Sequence, residues 1–172
     1  MTSASKPSSK TDVVFAWEKI SSAMADGLED LIIFNWSEIE AKTDIAPPLD
    51  IDWPKYAMLE RAGIYRAISM RRGAKLIGYN SYFVQPPLRH KGLLWAVNDT
   101  LYIDKDERAG RLGITAVRRS IEMLKAVGVQ YVFHGDMLGA LNSTSAKPHA
   151  TFGDLLLREG ATLLENIYVF KL

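Results

Sequence analysis

Residues 101–134 constrain the fold of this chain more than any other stretch. Leu101, Tyr102 and Ile103 end an apolar run, and the charged turn Asp104-Lys105-Asp106-Glu107 follows. Next comes Arg108-Ala109-Gly110-Arg111-Leu112-Gly113, which opens a segment of helical period. That segment, 114–127, repeats its apolar residues at Ile114, Val117, Ile121 and Leu124, with Arg111, Thr115, Arg118, Glu122 and Lys125 on the other face. Gly128 stops it, and 129–134 reads as a buried strand. Two strands joined by a helical crossover must run parallel, so 101–134 is a βαβ unit. The loop that opens the helix presents unpaired N–H groups and the positive end of a helix dipole, a setting suited to phosphate.

The rest of the chain supplies antiparallel partners. Residues 12–17 read as a first strand, 28–41 as a helix, and 52–61 as a second helix with Asp52 as cap, Pro54 in its first turn and Gly63 as stop. Strands at 64–71 and 75–85 flank the hairpin signal Arg72-Gly73-Ala74, and 93–103 is the strand leading into the loop. After a Gly/Asn/Ser-rich loop, 152–159 is a short helix ended by Gly160, and 161–172 supplies one or two closing strands. The order β-α-α-β-β-β-α-β-α-β predicts an α/β (α+β) fold. Its central sheet is mixed and mostly antiparallel, with helices on both faces. Residues 1–10, rich in Ser, Thr and Lys, read as a disordered tail, and 11–172 as one domain.

Composition narrows the function. The net charge is +1, which argues against a broad nucleic-acid footprint. There is no cysteine, and His90, His134 and His149 stand at no metal-ligand spacing, so no metal site is expected. No apolar run reaches the length of a membrane span, and the reading is a cytoplasmic protein.

The pattern Leu101-x-Ile103-Asp104-x-x-x-Arg108-x-Gly110-Arg111-x-Gly113, with its helix and strand, resembles the GNAT acyl-coenzyme A transferases. Their signature is Gln/Arg-x-x-Gly-x-Gly/Ala between the fourth strand and the following helix, and the element order also matches. The resemblance implies an acyl-CoA-dependent N-acyltransferase using acetyl-CoA. It further implies a pyrophosphate held by the backbone of Arg108, Ala109, Gly110, Arg111, Leu112 and Gly113. A pantetheine arm would lie along Leu101, Tyr102 and Ile103, admitted where the fourth and fifth strands splay. Asn142, with Ser143, would bond the pantetheine amide, and His149 stands near a coenzyme-contacting asparagine of the family. Arg111 replaces the usual glycine; it requires a negative φ there, and its guanidinium could reach a phosphate.

For catalysis, the family's glutamate position falls on Val97 and its tyrosine position on Leu156. Period-two alternation puts Val97, Asp99, Leu101 and Ile103 on one face, which makes Asp99 the substitute base. A polar residue satisfying a bulge is the alternative for Asp99. His134, at the C-terminal end of its strand, is a second candidate base, with hydrogen-bonded packing as its alternative. Tyr168 is the candidate acid, or a core aromatic. Glu38, Glu40, Asp44, Asp50 and Asp52 form an acidic region suited to a cationic acceptor, or a solvated helix face.

Partners implied by the resemblance are an acyl-CoA, an amine acceptor (small molecule or protein lysine) and a second copy in a homodimer. A catalytically inactive GNAT-fold binding or inhibitor protein is the rival class. An arginine inside the glycine loop is also similar to phage-encoded members, which adds modification of a nucleobase or host protein as a further reading.

Overall fold

The computed structural model describes residues 12–24, 26–43, 46–108, 110–136 and 151–164. Five strands form one sheet in the order β1 (Val13–Glu18), β2 (Tyr65–Arg72), β3 (Lys75–Gln85), β4 (Trp95–Ile103), β5 (Tyr131–Phe133). All neighbours are antiparallel except β4 and β5, the parallel pair demanded by the crossover helix α4 (Leu112–Ala126). The mixed sheet and its βαβ unit are therefore as the sequence predicts.

Helices cover both faces. On one lie α1 (Ile20–Met24), α2 (Leu28–Glu38) and α3 (Trp53–Arg61), whose Ile20, Ala23, Leu28 and Leu31 bury against Tyr65, Ala67, Tyr79 and Tyr102. On the other lies α4, which packs Ala116 with Met70, Ile77 and Ile103, and Leu124 with Ile68, Tyr82 and Ala96. Helix α5 (Phe152–Arg158) joins α4 through Leu156, in a cluster with Ile114 and Val117. Capping follows the local chemistry: Asp52 accepts from Lys55 N at 2.9 Å with Pro54 in the first turn, and Thr151 and Asp154 form a reciprocal capping box on α5.

Several expectations are corrected. Helix α1 goes unsignalled in the sequence, because five residues with two buried positions carry no readable period. Helix α2 stops at Glu38, and a 3₁₀ turn, Glu40–Lys42, replaces its expected last turn. Ile121, assigned to the buried stripe of α4, is 42% exposed, and Ser120 takes the inner position by bonding Asn80. Residues 161–164 form no strand. The tail 1–10 and residues 165–172 lie outside the described residues, as do Ala109, Asn142, Ser143, His149 and Tyr168. No helix among the described residues is long and apolar enough to cross a membrane.

Candidate active site

The site is built around an irregularity in β4. Ser81 pairs with Thr100 and Tyr82 with Asn98, so Asp99 is an extra residue with no partner on β3. This bulge breaks the strict alternation that places Asp99 with Leu101 and Ile103. Leu101 and Ile103 pack in the cluster with Ala116 on the α4 side, whereas Tyr102 packs on the α1–α3 side. Asp99 lies on that second side: its Oδ2 accepts from Tyr65 Oη at 3.0 Å and from Ser81 Oγ at 3.2 Å. The expectation of one shared face is thus corrected by a register shift that no periodicity in the sequence records.

Asp99 opens into a cavity of about 360 Å³ between β4 and the early helices, lined also by Asn35, Trp36, Glu40, Tyr56 and Tyr79. Solvent reaches the carboxylate, yet surrounding protein dominates its environment. Burial pushes its pKa up, and the bonds from Tyr65 and Ser81 oppose that shift. Burial likewise raises Glu40, with the charge of Asp99 adding to it. The two carboxylates therefore act on each other within one cavity. Tyr65 is held in place by edge contacts to Tyr56 and Phe83, at centroid distances of 4.9 and 5.3 Å. Glu40 and Asp52, read from the sequence as acidic-region residues, both line this cavity; Asp44 lies outside the described residues.

On its outer side β4 pairs with β5 only from Trp95↔Tyr131 to Val97↔Phe133. Beyond Val97 the two strands do not pair among the described residues, while β4 runs on to Ile103. That open edge leads to the start of α4. Gly110 takes the left-handed conformation, φ +70°, and Arg111, the helix N-cap, has φ −106° and so carries its side chain without strain. No side chain caps α4, and its first turn holds no acidic residue. The N–H groups of Leu112, Gly113 and Ile114 consequently have no intrahelical acceptor. A Cβ built at Gly113 would meet nothing within 4 Å among the described residues, so a side chain there would start in open space. An uncapped helix start with no acidic residue in its first turn offers the donors that an acyl-CoA pyrophosphate would need. The side chain of Arg108 points elsewhere: Nε donates to Ile103 O at 2.7 Å and Nη2 to Glu38 Oε2 at 2.6 Å, with the guanidinium over Tyr102.

His134 sits apart from the Asp99 cavity. Its Nε2 lies 3.4 Å from Tyr82 Oη, and its ring packs edge-on to Tyr82 and Phe152. Burial lowers its pKa to about 4. Tyr82 belongs to a buried polar chain in which Asn80 Nδ2 donates to Tyr82 Oη and Ser120 Oγ, and Asn98 Nδ2 donates to Asn80 Oδ1. Leu156, which the resemblance sets at the family's tyrosine position, is buried in the α4–α5 core, and Val97, which it sets at the glutamate position, is half exposed and pairs with Phe133.

No protein-family model matches the chain, and no curated protein matches it in sequence. Solved structures match its fold along nearly its whole length. An acetyltransferase from Trypanosoma brucei is 17% identical with a TM-score of 0.62, the match covering 94% of this chain and 100% of that one. An aminoglycoside acetyltransferase from an uncultured soil metagenomic sample, in complex with sisomicin, is 15% identical with a TM-score of 0.61, covering 92% and 97%. Glucosamine-6-phosphate N-acetyltransferase from Arabidopsis thaliana is 12% identical with a TM-score of 0.60, covering 92% and 98%. The fold of this chain is that of the GNAT acetyltransferases.

Proposed function

We propose that the protein is an acyl-CoA-dependent N-acyltransferase that uses acetyl-CoA and a cationic amine acceptor. The observation that carries this reading is the continuity of the outer edge of β4, unpaired beyond Val97 among the described residues, with the uncapped start of α4. Acetyl-CoA would supply a thioester whose acyl carbon passes to the amine nitrogen, the C–N bond replacing the C–S bond and leaving a free thiol. Leu101, Tyr102 and Ile103 would hold the pantetheine arm through their backbone. The amides of residues 110–113 would hold the pyrophosphate, with the Arg111 guanidinium beside them.

Asp99 is the general base in this reading. It lies on β4 in the lining of the acceptor cavity, and it takes a proton from the acceptor ammonium directly or through water. Its raised pKa brings it nearer to that of its task, and Tyr65 fixes its orientation. His134 takes no part, since its ring is packed between Tyr82 and Phe152 outside that cavity. Tyr168 and Asn142 keep their roles as candidate acid and pantetheine contact.

Calorimetric titration with acetyl-CoA tests the proposal, with saturable micromolar binding as the expected result. Absence of binding at millimolar acetyl-CoA would overturn it. The core position of Leu156, where the family has its tyrosine, favours one second reading: a GNAT-fold protein that binds acyl-CoA without transfer. Release of free thiol on adding an amine separates the two.

A further inference from the structure

The turn between β4 and α4 is pinned on two sides. On one side it meets the β2–β3 hairpin. Lys75 Nζ lies 3.2 Å from Asp104 Oδ2 and 3.6 Å from Glu107 Oε1, and Arg72 Nε donates to Glu107 Oε2 at 3.0 Å. Asp104 also caps the 3₁₀ turn Lys105–Glu107, accepting from Asp106 N at 3.1 Å. On the other side the turn meets α2. Glu38, the last residue of that helix, accepts from Tyr102 Oη at 3.0 Å through Oε1 and from Arg108 Nη2 at 2.6 Å through Oε2.

These two donors stand at the two ends of the turn. Tyr102 is the buried, penultimate residue of β4, and Arg108 directly follows the 3₁₀ turn. Arg108 closes the cluster, because its Nε donates to Ile103 O at 2.7 Å and its guanidinium lies 5.0 Å from the Tyr102 ring centroid. One carboxylate therefore fixes the spacing between the end of the strand and the start of the loop. Burial pushes the Glu38 pKa up, but the bonds from Arg108 and Tyr102 outweigh it and leave the carboxyl below its usual range. Glu38 is thus charged at neutral pH. The sequence groups it with the acidic region, yet it does not line the Asp99 cavity.

On charge alone, an acid beside a loop for a polyanion is unfavourable. Its use of both oxygens gives it another purpose: a loop already held in one shape loses less freedom when a ligand binds. We propose that Glu38 is a positioning residue for acyl-CoA, stapling β4 to Arg108 and so presetting the backbone of residues 110–113 for the pyrophosphate. Glu38 acts through Arg108 and does not touch the ligand. The assignment rests on the transferase reading.

The test is calorimetric titration of the full chain and its variants with acetyl-CoA. Glu38→Ala should weaken binding about fivefold or more, against the direction that loss of a negative charge would give. Glu38→Gln removes the same charge but keeps an acceptor oxygen, and should lose less. In an Arg108→Ala background, Glu38→Ala should cost nothing further. Glu18→Ala, which breaks an ion pair with Arg71 between β1 and β2, should leave the affinity as it was. A rise in affinity for either Glu38 variant, equal changes in the two, a further loss in the Arg108→Ala background, or an equal loss in Glu18→Ala would each overturn the assignment. Failure of the parent chain to bind would remove the transferase reading and this assignment with it. Binding by the parent that Glu38→Ala leaves unchanged would overturn this assignment alone.

Discussion

Tyr65 donates its phenol hydrogen to Asp99 Oδ2 across 3.0 Å, joining the first residue of β2 to the bulge residue of β4. The bond fixes the carboxylate and stabilises its charged form, against burial that favours the neutral one. Tyr65→Phe keeps the ring contacts and removes the donor. The pKa of Asp99 should then rise further, and the acid limb of the turnover–pH profile should move to higher pH. A limb that stays in place would separate Tyr65 from the titrating group.

Asp99→Asn should have opposite effects on activity and stability. As a base it contributes about 10²- to 10⁴-fold, and that loss is expected at neutral pH. For stability the sign follows from a raised folded pKa. The favourable contribution of Asp99 is complete below its unfolded pKa and is lost as pH rises through the folded one. At neutral pH the native state therefore carries an unfavourable charge that asparagine lacks. The melting temperature of Asp99→Asn should equal or exceed that of the parent in a thermal scan at pH 7.

Gly113→Leu separates the pyrophosphate loop from folding. The added side chain starts in open space, and leucine suits a helix better than glycine by roughly 0.5–1 kcal/mol. Thermal stability should hold or rise, while acetyl-CoA affinity should fall about tenfold or more by calorimetry.

Gly78→Ala should damage the sheet. A Cβ at Gly78 would meet Tyr102 O at 2.6 Å, Ile103 Cα at 3.1 Å and Met70 Cε at 3.1 Å. Two of these contacts are backbone, so β3 and β4 must move apart, at about 1–3 kcal/mol in denaturant unfolding.

His134 gives a pH signature in stability. Its folded pKa of about 4 lies below the ordinary 6.5, so the unfolded chain binds a proton first. Stability should fall as pH drops from about 6.5 towards about 4. His134→Phe, which keeps an aromatic ring beside Tyr82 and Phe152, should flatten that slope in unfolding curves measured across the window.

Much of this fold was legible because local chemistry and tertiary role coincide. The hairpin at Arg72-Gly73-Ala74 was readable, since Gly73 takes φ +60° between two strands that pair in direct succession. The strand 75–85 is found at its expected bounds, and Asp52 with Pro54 announces α3. The start of α4 was readable from its two glycines.

The site was less legible, because it depends on register. A bulge leaves no signature in β4 itself; it exists only as a mismatch with β3, so the face of Asp99 could not be deduced from counting. Glu40 read as one of several surface acids, and only the end of α2 two residues earlier turns it inward. Asn35 is buried on α2 although polar, and its unpartnered oxygen emerges only from packing.

The bulge also makes β4 behave as two strands out of phase. The half before it shares its phase with the β5 pairing, and the half after it with the core under α4. A single-residue deletion at Thr100 would restore one phase throughout, leave Leu101 and Ile103 facing α4, and set Asp99 in a regular pair with Ser81. The core under α4 therefore does not need the extra residue; what the added length changes is the cavity side, where it frees Asp99 from the ladder.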